Sequence, residues 1–181
     1  MGDRMKTEAY SWQQLPEAAL TIRRNVFIRE QQVPESLELD DTDPIAAHYL
    51  VWDDQGTPLA TARLYPQEDG AGGIGRMAVA PAHRAKGTGT ALMWRIMRDA
   101  LAQYDYLTLS AQEGAVDFYR RLGFHVVSGS YLDAGIPHRT MRCMAPSPLL
   151  SQTPETRSPL LMASDTTSWR ITAEHEQLQL L

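Results

Sequence analysis

Residues 74–89 constrain this chain more than any other stretch. An apolar run over residues 74–79 passes Pro81 and enters Arg84-Ala85-Lys86-Gly87-Thr88-Gly89. Beyond it, Leu92, Met93, Ile96, Met97, Ala100 and Leu101 recur at helical spacing to about residue 103. The order is strand, glycine-rich turn, helix start. A helix start leaves backbone N–H groups without intrahelical partners and carries partial positive charge, so it attracts anionic oxygens. Glycines let a ligand approach the backbone without meeting a Cβ, and Arg84 and Lys86 add charge at the same place. An ordinary helix start flanked by surface cations would also fit the segment taken alone. The combination favours a phosphate or pyrophosphate site.

The rest of the chain alternates in the same way. A short strand over residues 7–12 precedes a helix that opens at Pro16 and runs to about residue 31. Residues 47–52 and 58–65 read as a hairpin around Asp54-Gln55-Gly56. Residues 106–109 form a strand, 114–121 a short helix, and 124–130 and 139–144 two further strands. This order predicts one mixed α/β domain over residues 1–144. In residues 145–168, 13 of 24 residues are Pro, Ser or Thr, which predicts a linker or extended arm. Residues 169–181 could form a short helix that needs a surface to dock on.

Charge is distributed unevenly. Six acidic residues and no basic one lie between Glu30 and Asp43, whereas Arg76, Arg84, Lys86, Arg95 and Arg98 follow one another without an acid. The net charge of −5 argues against a broad nucleic-acid footprint. No window approaches the roughly 18 apolar residues that a membrane span needs. The single cysteine, Cys143, excludes an intrachain disulfide, and the start of the chain has no apolar leader, so a cytoplasmic location is expected. The five histidines are scattered, so no metal site is expected.

Two glycine motifs lead elsewhere only on paper. Gly70-Ala71-Gly72-Gly73-Ile74-Gly75 matches the spacing of a dinucleotide loop, but a strand follows it where a helix should. Lys86-Gly87-Thr88 has the wrong order for a nucleotide-hydrolysing loop.

The pattern Arg84-x-x-Gly87-x-Gly89 after a strand resembles the acyl-coenzyme A signature of the GCN5-related N-acetyltransferase (GNAT) superfamily. The run Ala115-Val116-Asp117-Phe118-Tyr119-Arg120-Arg121-Leu122-Gly123-Phe124 is similar to its second signature, in the same order and separation. Val26-Phe27-Ile28-Arg29-Glu30-Gln31, Glu38-x-Asp40 with Asp43 and His48, Ala111-Gln112, and Gly135-Ile136-Pro137-His138 with Met141 are similar to the ElaA/YjcF-like branch. The resemblance covers about residues 6–144.

It implies a mostly antiparallel twisted sheet with flanking helices, whose fourth and fifth strands splay apart to admit pantetheine. It implies acetyl-coenzyme A as co-substrate, bound by the backbone of Met77, Ala78 and Val79, by the amides of Arg84, Ala85, Lys86, Gly87, Thr88, Gly89 and Thr90, and by Phe118. Val79 N–H would serve the oxyanion, and Tyr119 would protonate the leaving thiolate. A phenol near pKa 10 holds its proton at neutral pH. The alternative role for Tyr119 is an aromatic that packs the helix on the sheet. The base stays open among Glu30, Glu38, Asp40, His48, Glu113, His138 and a water chain. A nucleophilic Cys143–His138 pair is set aside, because a strand cysteine is usually core.

The acidic stretch, if it lines the acceptor side, favours a cationic small-molecule or peptide amine, with Glu30, Glu38, Asp40, His48, Gln112 and His138 as substrate-binding candidates. A homodimer is allowed, with no nucleic acid or membrane as partner. Two alternatives remain beside the N-acetyltransferase. One is a noncatalytic acyl-coenzyme A sensor or interaction module. The other is an amino-sugar phosphate acetyltransferase, which needs a second basic pocket.

Overall fold

The two apolar runs either side of Asp53 close into the expected hairpin in a computed structural model, which describes residues 5–144. β2 (Ala47–Trp52) and β3 (Pro58–Pro66) run antiparallel. In their turn, Asp53 Oδ1 accepts the amides of Gln55 and Thr57 at 2.9 and 2.7 Å, as Asp does in turns. β1 (Lys6–Tyr10) flanks β2, and β4 (Gly72–Val79) flanks β3. β5 (Tyr106–Gln112) joins β4 in parallel, and β8 (Ile136–Met144) joins β5 antiparallel. The short strands β6 (His125–Val126) and β7 (Tyr131–Asp133) both pair with β8. The result is an eight-stranded sheet, antiparallel everywhere except at β4–β5.

Helices cover both faces. α1 (Glu17–Arg23) opens after Pro16 and continues as a π-helical stretch, Arg24–Glu30, that closes with Gln31 N–H on Val26 O at 3.0 Å. A short α2 (Glu35–Glu38) follows. α3 (Thr88–Ala100) and α4 (Val116–Arg121) lie on the opposite face. The periodic stripe of α3 is buried as its spacing requires: Leu92, Met93, Ile96 and Ala100 are fully enclosed against Val51, Leu64, Ile74 and Leu107. Leu92, Met93 and Ile96 each contribute about 1.5–3 kcal/mol in this way. Among the described residues, no helix is long and apolar enough to cross a membrane.

A bulge in β4 positions the site. Thr61 pairs with Ala78 and Arg63 with Gly75, so two residues, Arg76 and Met77, face Ala62 alone. Arg76 takes a left-handed conformation, with φ at 51°. A bulge of this kind bends its strand. The β4–β5 pairing accordingly covers only Gly72–Ile74 against Leu107–Leu109, and beyond it the strands diverge. This is the expected splay.

Some expectations shift. The strand predicted over residues 124–130 shrinks to His125–Val126, while α2 and β7 were not foreseen. Both are too short for a periodicity to show. The helix predicted to residue 31 is α-helical only to Arg23, because the extra residue per turn in the π-helical stretch leaves no mark in a hydrophobic pattern. The arm expected at 145–168 and the helix expected at 169–181 lie outside the described residues.

Candidate active site

Strand alternation sends neighbouring side chains to opposite faces. From β4, Met77 and Val79 enter the cluster under α3 and α4, while Ala78 enters the small cluster under α1 with Ala19, Ile22, Val26 and Leu50. The gap between β4 and β5 is therefore open to two chemically different faces.

On the α3 side, Ala80 N–H donates to Leu59 O at 2.9 Å. That makes Ala60–Val79 a non-hydrogen-bonded pair, so Val79 turns its own N–H and C=O toward the gap. The same alternation gives both backbone groups of Ala78 to Thr61. Ala78, expected on the coenzyme side, is thus committed to β3. Val79 O accepts Arg84 Nε at 3.1 Å.

The turn beyond β4 brings the α3 start beside the gap. Gly87 caps the helix at φ 78°, and Ala85 is also left-handed at φ 57°. Ala91 N–H returns to Gly87 O at 2.9 Å as the first helical bond. Two expectations change here. Arg84 was expected to add charge at the helix start, but its guanidinium grips the Glu30 carboxylate at 2.8 and 2.9 Å, which also occupies Glu30. Gly89 was expected to keep a Cβ off a pyrophosphate. A Cβ there would instead meet Met77 Cε at 3.2 Å, Val79 Cγ2 at 3.5 Å and Phe118 Cζ at 3.6 Å, so this glycine lets α3 approach β4. Lys86 Nζ donates to Ala82 O, and Thr88 Oγ1 donates to His83 O.

Tyr119 is 4% exposed, edge-on to Phe118 and Phe124, and its hydroxyl reaches Met77 Sδ at 3.5 Å. Burial pushes the phenol above its ordinary value, so the proton stays on oxygen throughout the neutral range. Cys143 lies in the same apolar cluster, and burial pushes its thiol up as well. His138 is five residues away on β8 and so faces the other side of the sheet.

On the α1 side, most of the acidic stretch is matched by arginines. Arg23, 1% exposed, binds Glu38 Oε1 at 2.5 Å and Asp43 Oδ1 at 2.7 Å. Arg63 binds Asp40 at 2.6 and 2.8 Å and Asp43 at 2.9 Å. Arg76 donates to Glu38 O, Leu37 O and Asp40 Oδ2. Three guanidinium groups thus face three carboxylates. Desolvation raises the Asp40 carboxyl, but the hydrogen bonds and charge of Arg63 outweigh it and hold the group at about 2. His48, 1% exposed, places Nε2 2.9 Å from Asp43 O, and burial lowers its proton affinity. The expectation of six carboxylates open to an acceptor is corrected: Glu30, Glu38, Asp40 and Asp43 are ion-paired, and His48 is sealed beneath them.

A pocket opens where the sheet divides on this face. It is lined by Arg76 from β4, Gln112 and His138 from β5 and β8, Glu38 and Leu37 from α2, Phe27 from the π-helical stretch and Gln31 just past its end, and Asp133 and Ala134 from the β7 hairpin. Gln112 Nε2 donates to Gln31 Oε1 at 2.8 Å across the divide. Of the predicted acceptor residues, Glu38, Gln112 and His138 meet here, while Glu30, Asp40 and His48 do not. Arg76, Gln31 and Asp133 were missed as site residues. Arg76 had a signal, a lone charge within an apolar strand run, whereas Asp133 depends on a hairpin that the sequence barely marks.

Residues 9–124 match the "Acetyltransferase (GNAT) family". The chain is 35% identical over 125 residues to the uncharacterized N-acetyltransferase YjcF of Bacillus subtilis, covering 68% of this chain and 88% of that protein. It superposes on an acyl-CoA N-acyltransferase from Pseudomonas aeruginosa at 33% identity and TM-score 0.70, over 77% of this chain and 99% of that one. Escherichia coli ElaA gives 27% identity and TM-score 0.69 over the same shares, 77% and 99%.

Proposed function

Because the chain belongs to the acetyltransferase (GNAT) family and is an acyltransferase, we propose that it moves an acetyl group from acetyl-coenzyme A directly to an amine that enters on the α1 side of the sheet. The family uses acetyl-coenzyme A, which supplies an acetyl group activated as a thioester. The observation that carries the reading is the divergence of β4 from β5, with Val79 N–H turned into the gap. That divergence opens a passage between a helix start on one face and a polar pocket on the other.

The residues present fit the coenzyme. The amides of Gly87, Thr88 and Gly89 at the α3 start suit a pyrophosphate, with Lys86 beside them. Val79 N–H suits the carbonyl oxygen, as a fixed backbone donor does in acyl transfer. Tyr119 Oη, protonated and shielded from water, suits a leaving sulfur; its hydroxyl already rests on the sulfur of Met77. The acceptor nitrogen would approach from the pocket between Arg76 and Gln112.

The preference for a cationic acceptor now rests on Asp133. It is exposed at the pocket, and its carboxylate has no hydrogen bond or ion pair among the described residues. A second cationic group on the acceptor would pair with it and leave the reacting nitrogen free of a carboxylate that would hold its proton.

The test is thiol release from acetyl-coenzyme A across an amine panel, with coenzyme binding followed by calorimetry. Diamines should turn over, and Asp133→Asn should raise KM for a diamine about tenfold, which is about 1.4 kcal/mol, with little change for a monoamine of equal length. Equal effects on both would remove Asp133 from acceptor choice. Tight coenzyme binding with no thiol release for any amine would leave a noncatalytic acyl-coenzyme A module.

A further inference from the structure

We propose that His138 Nε2 is the base that takes the proton from the acceptor amine; this rests on the amine acetyltransferase reading above. The other side chains that the sequence offers as the base are already committed. Glu30 is held by Arg84, Glu38 by Arg23, and Asp40 by Arg63 and Arg76. Glu113 is held by Arg139 at 3.1 Å. A guanidinium beside a carboxylate favours its charged form and weakens it as a proton acceptor. His48 points Nε2 at Asp43 O, beneath the ionic network and outside the pocket.

His138 differs from all of these. It lines the acceptor pocket, and its Nδ1 lies 2.8 Å from Ile136 O. A carbonyl oxygen can only accept, so in the neutral ring the proton sits on Nδ1 and the lone pair on Nε2. Tyr131 stacks on the ring, with centroids 6.2 Å apart and planes at 23°, which holds its orientation. The register places His138 opposite Gln112 on one side and Tyr131 on the other, beside the point where the sheet divides. An imidazole held in this orientation, with Nδ1 taken by Ile136 O and no partner on Nε2 among the described residues, is placed to accept a proton from an ammonium group in the pocket.

The step is proton transfer alone. The N–H bond of the ammonium breaks, its electron pair stays on nitrogen as the lone pair that attacks, and the proton goes to Nε2 to give imidazolium. Imidazolium then releases the proton to solvent and the neutral ring is restored.

The test compares wild type with His138→Asn, which keeps an N–H near the Nδ1 position for Ile136 O and removes Nε2. The probes are benzylamine, an ammonium ion at neutral pH, and its isomer p-toluidine, which is already unprotonated there. The variant should lose about 10²-fold or more in kcat with benzylamine and less than about tenfold with p-toluidine, with KM for acetyl-coenzyme A unchanged. Equal losses on the two amines, or a loss below about threefold on benzylamine, overturn the role. Ring-nitrogen NMR of histidine-labelled protein, assigned by the signals absent from the variant, should show Nδ1 protonated and Nε2 bare; the reverse tautomer overturns it without any turnover assay. Wild type that binds acetyl-coenzyme A but acetylates neither these two amines nor any diamine overturns the amine reading and this role together, whereas an active wild type and an unaffected variant overturn this role alone.

Discussion

On the α1 face of the sheet, Arg23, Glu38, Asp43 and Arg63 are buried, and every carboxylate among them has a guanidinium within 3 Å. On the α3 face, burial is almost wholly apolar, and the few polar groups at the gap, Val79 N–H and Tyr119 Oη, are matched by nothing stronger than a thioether. The two faces use burial in opposite ways. Where charge is paired, it fastens α1, α2 and the β4 bulge together. Where a donor is left near the gap, its hydrogen-bonding capacity is available to a ligand, because a buried donor without a partner costs free energy until one arrives. Among the described residues, the fullest cluster of charge is therefore framework, and the proposed chemistry lies where polar groups are sparsest.

The sharpest way to break this contrast is Tyr119→Phe. The ring stays and one hydroxyl goes, so thermal stability and coenzyme affinity should hold while turnover falls by about 10²- to 10⁴-fold. A fall below about threefold would make Tyr119 a packing residue and erase the difference between the faces. Next comes Arg23→Met on the opposite face, which strands Glu38 and Asp43 without their main partner. Urea denaturation should show a loss of about 3–5 kcal/mol. A loss under about 1 kcal/mol would mean that water already shares the network.

Gly89→Val probes the packing between α3 and β4. Its Cβ would press on Met77, Val79 and Phe118, so the expected effect is a loss of about 1–3 kcal/mol in stability, read from the denaturation midpoint. If stability holds and only coenzyme affinity drops, the side chain points at the ligand and the packing account is wrong. The smallest effect is acid sensitivity. Asp40 is held at about 2, below the ordinary carboxyl value near about 3.9, so its contribution is present above that value and fades as pH falls toward about 2. The denaturation midpoint should decline across that window, less steeply in Asp40→Asn, and the same slope in both proteins would assign the decline to other carboxylates.

Much of the fold was legible because it is written in short-range patterns. The hairpin at Asp53, the helix after Gly87 and the short helix before Gly123 all follow from periodicity and turn chemistry, which neighbouring residues settle among themselves. Of the proposed coenzyme side, the glycine-rich helix start was visible for the same reason, while Tyr119 was marked by the resemblance to the family's second signature. The acidic stretch misled, since a run of carboxylates looks the same whether it meets water or arginines 15 to 54 residues away in the chain.

The sequence by itself determined the α/β order, the strand–turn–helix unit and the family to which the chain belongs. Only the tertiary structure decided which carboxylates are spent on arginines, that a left-handed Arg76 bends β4 away from β5, and that Ile136 O leaves His138 with a bare nitrogen in the pocket. The physical reason is range. Periodicity and capping act over a few residues, whereas desolvation, ion pairing and the tautomer of an imidazole are set by whatever distant chain is packed alongside.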